Sequence, residues 1–280
     1  MTSRTLEALG LAQTPSLEPL SYPGRPLDHP ALLRGDHLFP ITPGADSVGE
    51  WCVEVAEGRS TALDTALAVL GEARMHERVP VLAIGSHAAP AQLRHKLRTS
   101  GLSGTVPLTT ATLRGIRIGF SAHVSPAGYV AASPYVDPDA APELIVTWLD
   151  AVQLKAVDDT EYPEYRRVIL PERRFPVELA SGATLDGVHL YVNARGVLAF
   201  PDGETPTPLL PQPEILTRLC AASPELAAQF GDSPEEFVRR ARADAELRER
   251  GTLVLATSGW LLRQPEFDAL PDARDIIHVA

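Results

Sequence analysis

Two short stretches of the sequence contain residue types that bind polar ligands or move protons. The first is Gly85-Ser86-His87, which follows an apolar run and precedes a segment opened by Pro90. A glycine lets the backbone approach a ligand closely, and a histidine, with a reference pKa of about 6.5, can donate or accept a proton near neutral pH. The second stretch is the acidic run 158–161, which ends in Glu161. Whether it does chemistry depends on whether the fold brings Glu161 to the first stretch.

The elements predicted around both stretches are short strands that alternate with helices. Residues 81–84 read as a brief strand, and Pro90 stands in the first turn of a short helix, where proline is favoured. A later helix begins after Asp150, whose pairing with Gln153 is a capping pattern. Alternating and β-branched residues predict further strands at 116–123, 129–132, 143–148, 165–170 and 188–192. This series predicts an α+β protein built on a small mixed β-barrel.

The flanking regions differ in composition from this centre. Seven prolines lie before residue 45, so this part is expected to be extended and loop-like, with one helix over 60–75. After residue 200, Ser223 and Ser233 each precede a proline and a glutamate, which is typical of a helix start. The second of these helices is expected to run to Glu249 and stop at Gly251, with a strand over 252–256. We therefore divide the chain into a Pro-rich N-terminal extension (1–78), a central domain (79–200) and a mostly helical C-terminal extension (201–280).

Composition excludes several classes of function. The net charge of -11 disfavours nucleic acid and anionic membranes as partners, and no apolar stretch approaches the roughly 18 residues that span a bilayer. The first 20 residues lack the pattern of a signal peptide, and two cysteines are too few for a disulfide framework. These features predict a cytoplasmic protein. Metal-binding, dinucleotide, P-loop and nucleophile-elbow motifs are absent, so no metal or organic cofactor is expected.

Four stretches taken in order resemble the γ-glutamylcyclotransferase-like family. That family has a Tyr-Gly-Ser-Asn-Leu loop after its first strand, a strand leading into a short helix, a Leu-Asp-x-x-Glu-Gly signature and a Tyr-x-Arg-like strand. The resemblance covers about 120 of the 280 residues, 79–200. The matching stretches here are Ile84-Gly85-Ser86-His87-Ala88, Val146-Thr147-Trp148-Leu149, the run 154–161 and Tyr165-Arg166-Arg167-Val168.

The resemblance implies a barrel enzyme with no cofactor that acts on a small molecule, as an acyltransferase or lyase. Gly85 and Ser86 fall in the loop whose backbone amides hold a γ-glutamyl head group. Glu161 falls on the catalytic glutamate, which takes a proton from the α-amine of the substrate. The freed amine then attacks the γ-carbonyl, giving a 5-oxoproline-type ring and a free amine. Burial that raises the pKa of Glu161 toward roughly 6 to 7 would help this proton transfer, and repulsion from Asp158 and Asp159 would raise the pKa further.

Other residues are candidates for substrate binding, and some depart from the family pattern. Ile84 replaces the family's tyrosine, His87 its asparagine, and Tyr162 the glycine after the catalytic glutamate. These changes leave open a different substrate, a binding module without turnover, or an amide hydrolase that releases linear acids. The sequence as a whole also leaves open a homo-oligomer. The candidate substrate-binding residues are Ile84, Gly85, Ser86, His87, Ser121, His123 and Tyr165.

Overall fold

The structure is a computed structural model that describes residues 4–45, 47–274 and 276. This part of the chain forms fourteen strands and eight helices, joined by loops and short 3-10 turns. The strands are β1 (Ala31–Arg34), β2 (His37–Thr42), β3 (Cys52–Ala56), β4 (Arg59–Ala62), β5 (Val79–Ala83), β6 (Val106–Leu113), β7 (Ile116–Val124), β8 (Val130–Val136), β9 (Glu143–Leu149), β10 (Tyr165–Ile169), β11 (Val177–Leu179), β12 (His189–Asn193), β13 (Val197–Leu198) and β14 (Leu261–Leu262). The helices are α1 (Leu63–Val69), α2 (Pro90–Thr99), α3 (Ala151–Glu161), α4 (Gln212–Ala222), α5 (Pro224–Phe230), α6 (Pro234–Ala243), α7 (Ala245–Thr257) and α8 (Pro265–Asp268).

Ten strands form one open mixed sheet in the order β10-β12-β5-β9-β6-β1-β2-β3-β4, with β11 also paired to β6. Strands β5 and β12 run parallel, and the other pairs are antiparallel. The α+β class is confirmed, but the prediction of a barrel is wrong in that the sheet does not close. Strand β6 uses one edge for β9 and the other for β1 and β11, while β7 and β8 pair as a separate hairpin.

The N-terminal region contains more regular structure than its prolines predict. Strands β1 to β4 extend the large sheet beyond β6, and α1 is shorter than the predicted helix. Pro40 lies within β2 opposite Ala31, and the pairing of β2 with β3 begins only at Ile41. The missing amide hydrogen of the proline therefore falls where β2 has a single partner, which is where a strand tolerates proline.

The C-terminal helices pack with β7, β8 and β13 around a second apolar core. The predicted caps at Ser223 and Ser233 are confirmed, because each side chain accepts a hydrogen bond from the first turn of its helix. Two other predictions are wrong. The helix after Ser233 ends at Ala243, and a new helix capped by Asp244 includes both Gly251 and the run expected to be a strand. A Cβ at Gly251 would collide with the ring of Phe230, so close packing rather than helix termination accounts for this glycine.

The central strand, loop and helix form as predicted. Strand β5 lies between β9 and β12, and it is followed by a 3-10 turn at Ser86–Ala88 and then by α2. Helix α3 begins with the predicted capping box, in which Asp150 accepts from the backbone of Gln153 and the Gln153 side chain accepts in return. These two helices place the ends of the predicted chemical stretches near each other. In the described ranges no helix has the length and apolar character needed to cross a bilayer.

Candidate functional site

A cavity of about 580 Å³ opens where β5 gives way to its loop. Its wall includes that loop, helix α2, the last turn of α3 and part of the β7–β8 hairpin. Residues on both sides of the central region also reach it: Tyr22 precedes β1, and Arg248, Glu249 and Thr252 lie on α7. The flanking regions therefore contribute directly to the cavity, which their composition did not predict.

Glu161 lies in the cavity wall as one member of a three-residue polar cluster. Lys96 on α2 donates to Glu161 Oε1 at 2.7 Å, and its Nζ is 2.5 Å from His87 Nε2. His87 Nε2 is also 3.3 Å from the same carboxylate oxygen. The side chains are partly buried, with 20% of Glu161 and 12% of Lys96 exposed. No hydrogen bond to Glu161 Oε2 forms among the described residues, so one carboxylate oxygen is left for a ligand.

The cluster holds Glu161 as a carboxylate. Burial alone would raise its pKa, but the positive charge of Lys96, joined by that of His87 when the imidazole is protonated at low pH, outweighs that effect and holds the pKa well below the usual range. Burial, followed by the charge of Lys96, lowers the pKa of His87, so its imidazole is neutral near pH 7. A neutral His87 with an unprotonated Nε2 accepts the hydrogen bond from Lys96.

The expected upward shift of the Glu161 pKa is therefore wrong. The charge of each neighbouring aspartate is compensated by a cation: Asp158 is paired with the buried Arg167, and Asp159 with the exposed Lys155. The sequence suggested repulsion because the carboxylates are close along the chain. The helix instead turns them toward different partners, and the cation nearest to Glu161 comes from α2.

The predicted loop lines the same cavity as Glu161. Ile84, Gly85, Ser86 and His87 all contribute to its wall. A Cβ at Gly85 would collide with the hydroxyl of Tyr22, which is fixed there by accepting the amide hydrogen of Ala132 at 2.6 Å. The glycine is thus required by the close approach of a tyrosine from the N-terminal region.

The three candidates outside the loop have different positions. His123 and Tyr165 line the cavity, with their rings edge to face at a centroid distance of 5.8 Å. The Tyr165 hydroxyl donates to the carbonyl of Ala132 at 2.7 Å. Ser121 is fully buried and does not line the cavity; its hydroxyl contacts His123 Nδ1 and the carbonyl of Ala131. Ser121 therefore supports His123 from behind and does not face a ligand.

Lys96 is the clearest residue that the sequence interpretation missed, although the sequence carries a signal for it. The chain has 25 basic residues, of which only Lys96 and Lys155 are lysines. A rare lysine in an arginine-rich chain indicates a place where a compact ammonium is used instead of the larger, planar guanidinium. Of the two, Lys155 is exposed and Lys96 lies in the cavity wall. The tyrosines give a second signal, since five of the six line the cavity: Tyr22, Tyr129, Tyr162, Tyr165 and Tyr191.

Comparisons with known proteins give little beyond the structure itself. No protein-family model matches the sequence, and no curated protein matches it. Across the described part of the chain, no group of three or more His, Cys, Asp or Glu side chains is arranged to hold a metal ion.

Several solved structures have a partial likeness to the chain. One is described as a γ-glutamyl cyclotransferase, with 13% identity over 63% of this chain and 99% of that one, at a TM-score of 0.37. A solution structure from Arabidopsis thaliana has 19% identity over 41% of this chain, at a TM-score of 0.32. YkqA from Bacillus subtilis has 12% identity over 71% of this chain, also at 0.32.

The chain spans less than two thirds of two of these structures, 62% of the Arabidopsis protein and 58% of YkqA. The TM-scores are low and the identities are below 20%. The likenesses therefore carry no conclusion about activity, and the fold class stated above rests on the strands and helices of this chain.

Proposed function

We propose that the protein is an enzyme that cyclises a γ-glutamyl amide or a related amine-bearing acyl compound. The observation that carries the proposal is the Lys96–Glu161 ion pair, which lies in the wall of the same cavity as the Gly85–Ser86 loop. The motif resemblance to γ-glutamylcyclotransferase-like proteins supports the same reaction.

The ion pair is complementary to a zwitterion. A γ-glutamyl head group carries an ammonium and a carboxylate on one carbon atom. Its ammonium would contact Glu161, whose Oε2 has no hydrogen-bond partner in the described residues, and its carboxylate would draw Lys96 away from Oε1. Exchange of one internal pair for two intermolecular pairs keeps every charge compensated. Once Lys96 is occupied by the substrate, the pKa of Glu161 rises and the carboxylate becomes a better proton acceptor.

The remaining demands of the reaction are modest. The nucleophile and the electrophile belong to one molecule, so holding them in contact supplies a large part of the rate. Glu161 takes a proton from the ammonium, and the amine attacks the γ-carbonyl. Backbone N–H groups of the loop at Gly85 and Ser86 would stabilise the negative charge that develops on the carbonyl oxygen. The bond to the departing amine then breaks, and that amine leaves protonated.

The test is release of 5-oxoproline and free amine from a panel of γ-glutamyl amides. We expect Glu161→Gln, which keeps the size of the side chain but cannot take a proton, to lower kcat by about 10² to 10⁴-fold. The control is Glu225→Gln, which removes an exposed carboxylate on α5 that is not in the cavity wall. Equal inactivity of the wild type and Glu161→Gln across the panel would exclude this reaction. Release of free glutamate in place of 5-oxoproline would indicate hydrolysis of the amide, with Glu161 activating water.

One observation favours a second candidate, a binding module without turnover. The resting pKa of Glu161 is low, and Ile84 and His87 replace the tyrosine and asparagine of the family loop. A zwitterionic ligand would then be bound by the same charges but not converted. A rise in Tm with γ-glutamyl amides, in the absence of any product, would support this candidate.

A further inference from the structure

The proposed cyclisation requires two protons to pass from the attacking nitrogen to the departing one. The substrate begins with an ammonium and an amide N–H, and the products are a lactam N–H and a protonated amine. Glu161 can hold one of these protons at a time. The inference below rests on the proposed function and concerns the carrier of the other proton.

His123 is placed to be that carrier. It lies on β7, is only 4% exposed overall, and lines the same cavity as Glu161. Its Nδ1 is 2.6 Å from the hydroxyl of Ser121 and 3.4 Å from Asn193 Nδ2. Its Nε2 has no hydrogen-bond partner among the described residues. This nitrogen is not fully buried either, so it keeps some accessible surface. The ring therefore presents its unpaired nitrogen toward the cavity.

The surroundings of Ser121 assign the tautomer. The Ser121 hydroxyl has one hydrogen and two close contacts, the carbonyl of Ala131 at 3.0 Å and His123 Nδ1. A carbonyl can only accept, so we assign the one hydroxyl hydrogen to Ala131 and the hydroxyl lone pair to His123 Nδ1–H at 2.6 Å. Asn193 Nδ2 is also a donor, because its Oδ1 accepts from the amide of Arg195, but it lies farther from Nδ1, at 3.4 Å. His123 Nε2 then carries a lone pair and is the basic nitrogen.

Charges around His123 keep it neutral at rest. Burial, followed by the charge of Arg195, lowers its pKa to about 4, while Glu161 acts in the opposite direction. Arg195 is itself paired with Glu164, and Tyr165 is the other titratable group against the ring. A neutral imidazole is free to accept a proton, and the imidazolium formed here would be a strong acid that readily gives it up.

We propose that His123 is a catalytic residue that transfers the second proton. As the N–C bond of the ring forms, Nε2 takes a proton from the attacking nitrogen. As the C–N bond to the departing amine breaks, Nε2 gives that proton to the departing nitrogen. Glu161 delivers the first proton to the same amine, and both side chains return to their starting states.

The decisive experiment varies the departing amine. Kinetics are measured with an alkylamide, which leaves only if protonated, and with a p-nitroanilide, which leaves readily without protonation. We expect His123→Gln to lower kcat by about 10² to 10⁴-fold on the alkylamide and by a clearly smaller factor on the anilide, where His123 takes the proton from the attacking nitrogen but need not protonate the departing one. Glu161→Gln should lower both rates to a similar extent. The control is His76→Gln, which replaces an exposed histidine outside the cavity wall.

The outcomes separate this inference from the proposed function. If the wild type converts neither amide, the reaction itself is excluded. If the wild type is active and His123→Gln changes both rates equally or neither, only the role of His123 is excluded. Nitrogen NMR of the His123 ring gives a readout that does not need turnover. An Nε2–H tautomer would contradict the inference, and an Nδ1–H tautomer that titrates near pH 4 would support it. His123→Asn, with Tm measured for both variants, guards against loss of folding.

Discussion

Two of the three carboxylates on helix α3, those of Asp158 and Glu161, have surroundings that are opposite in kind. Asp158 is buried and saturated: it accepts from Arg167 Nε at 2.9 Å, from Arg167 Nη2 at 3.0 Å and from the Tyr191 hydroxyl at 2.6 Å. Glu161 uses one oxygen for Lys96 and His87 and leaves the other without a hydrogen-bond partner in the described residues. One site is closed and the other is open.

The closed site is structural. The Arg167 side chain is 1% exposed and also contacts His189 Nδ1 at 2.6 Å. It donates further to the carbonyls of Arg274 and Ile276, which ties the end of the described chain to β10. The hydrogen-bonding capacity of the Asp158 carboxylate is already used by Arg167 and Tyr191, so this group is not available to a ligand. The comparison shows that unused hydrogen-bonding capacity beside a cavity, rather than the presence of a carboxylate, separates a candidate catalytic group from a structural one.

Removal of Arg167 should have the largest effect on stability. In Arg167→Leu the carboxylate of Asp158 stays buried without its cation, and we expect the free energy of unfolding to fall by about 3 to 5 kcal/mol. Urea denaturation measures this change. The control is Arg173→Leu, an exposed arginine that should change stability by less than about 0.5 kcal/mol. A loss below about 1 kcal/mol for Arg167→Leu would mean that the closed site is not structural.

Tyr191 belongs to both sites, since its hydroxyl donates to Asp158 and its ring lines the cavity. Tyr191→Phe removes only the hydrogen bond, and we expect a loss of about 1.5 to 3 kcal/mol, the usual range for a hydrogen bond to a charged group. Thermal or urea unfolding would measure it. Tyr162→Phe is the control, because the exposed Tyr162 has no hydroxyl hydrogen bond in the described structure. Equal stability of the two variants would contradict the importance of the Asp158 contact.

The smallest effect concerns the acid dependence of the open site. The pKa of Glu161 in the folded protein lies below its ordinary value of 4.5, so its ion pair stabilises the protein above that pH, and the stabilisation is lost as pH falls. In Lys96→Met the pKa of Glu161 is lowered less, because the charge of Lys96 is gone. We therefore expect the variant to be less stable than the wild type at pH 7, by about 1 kcal/mol or less, because the pair is partly exposed to solvent.

The gap between Lys96→Met and the wild type should narrow as pH falls below about 4.5, as followed by urea denaturation at several pH values. Lys155→Met, which removes the only other lysine, tests the exposed Asp159 pair and should show little gap at any pH. A gap that is constant from pH 7 to pH 3 would show that Lys96 acts through packing and not through the charge of Glu161.

Local signals in the sequence predicted the parts of the fold that depend on local chemistry. The capping pair Asp150 and Gln153, the proline at the start of α2 and the serine caps of α5 and α6 each determine a helix start within a few residues. The meeting of Glu161 with the loop at Gly85 was expected from a motif resemblance, and the shared cavity is consistent with it.

Contacts between distant residues account for what was missed. Lys96 lies 65 residues from Glu161 in the sequence, so no local pattern assigns the cation that sets the pKa of the carboxylate. Strands β1 to β4 depend on an edge of β6 for their pairing, and Gly251 lies within α7, where it packs against Phe230 and does not end the helix. In each case tertiary packing overrides what the local residues favour.

The cavity wall described above has a consequence for how such a protein can diversify. The polar cluster comes from the loop after β5, α2 and α3, whereas other parts of the wall come from α7 and from the segment that contains Tyr22. Substitutions at Arg248 or Thr252 can therefore alter the shape and charge of that part of the wall without replacing a residue of the polar cluster. If the proposed function holds, the residues that contact the rest of the ligand and the residues that move protons lie in separate stretches of the sequence, and each set can mutate while the other is preserved.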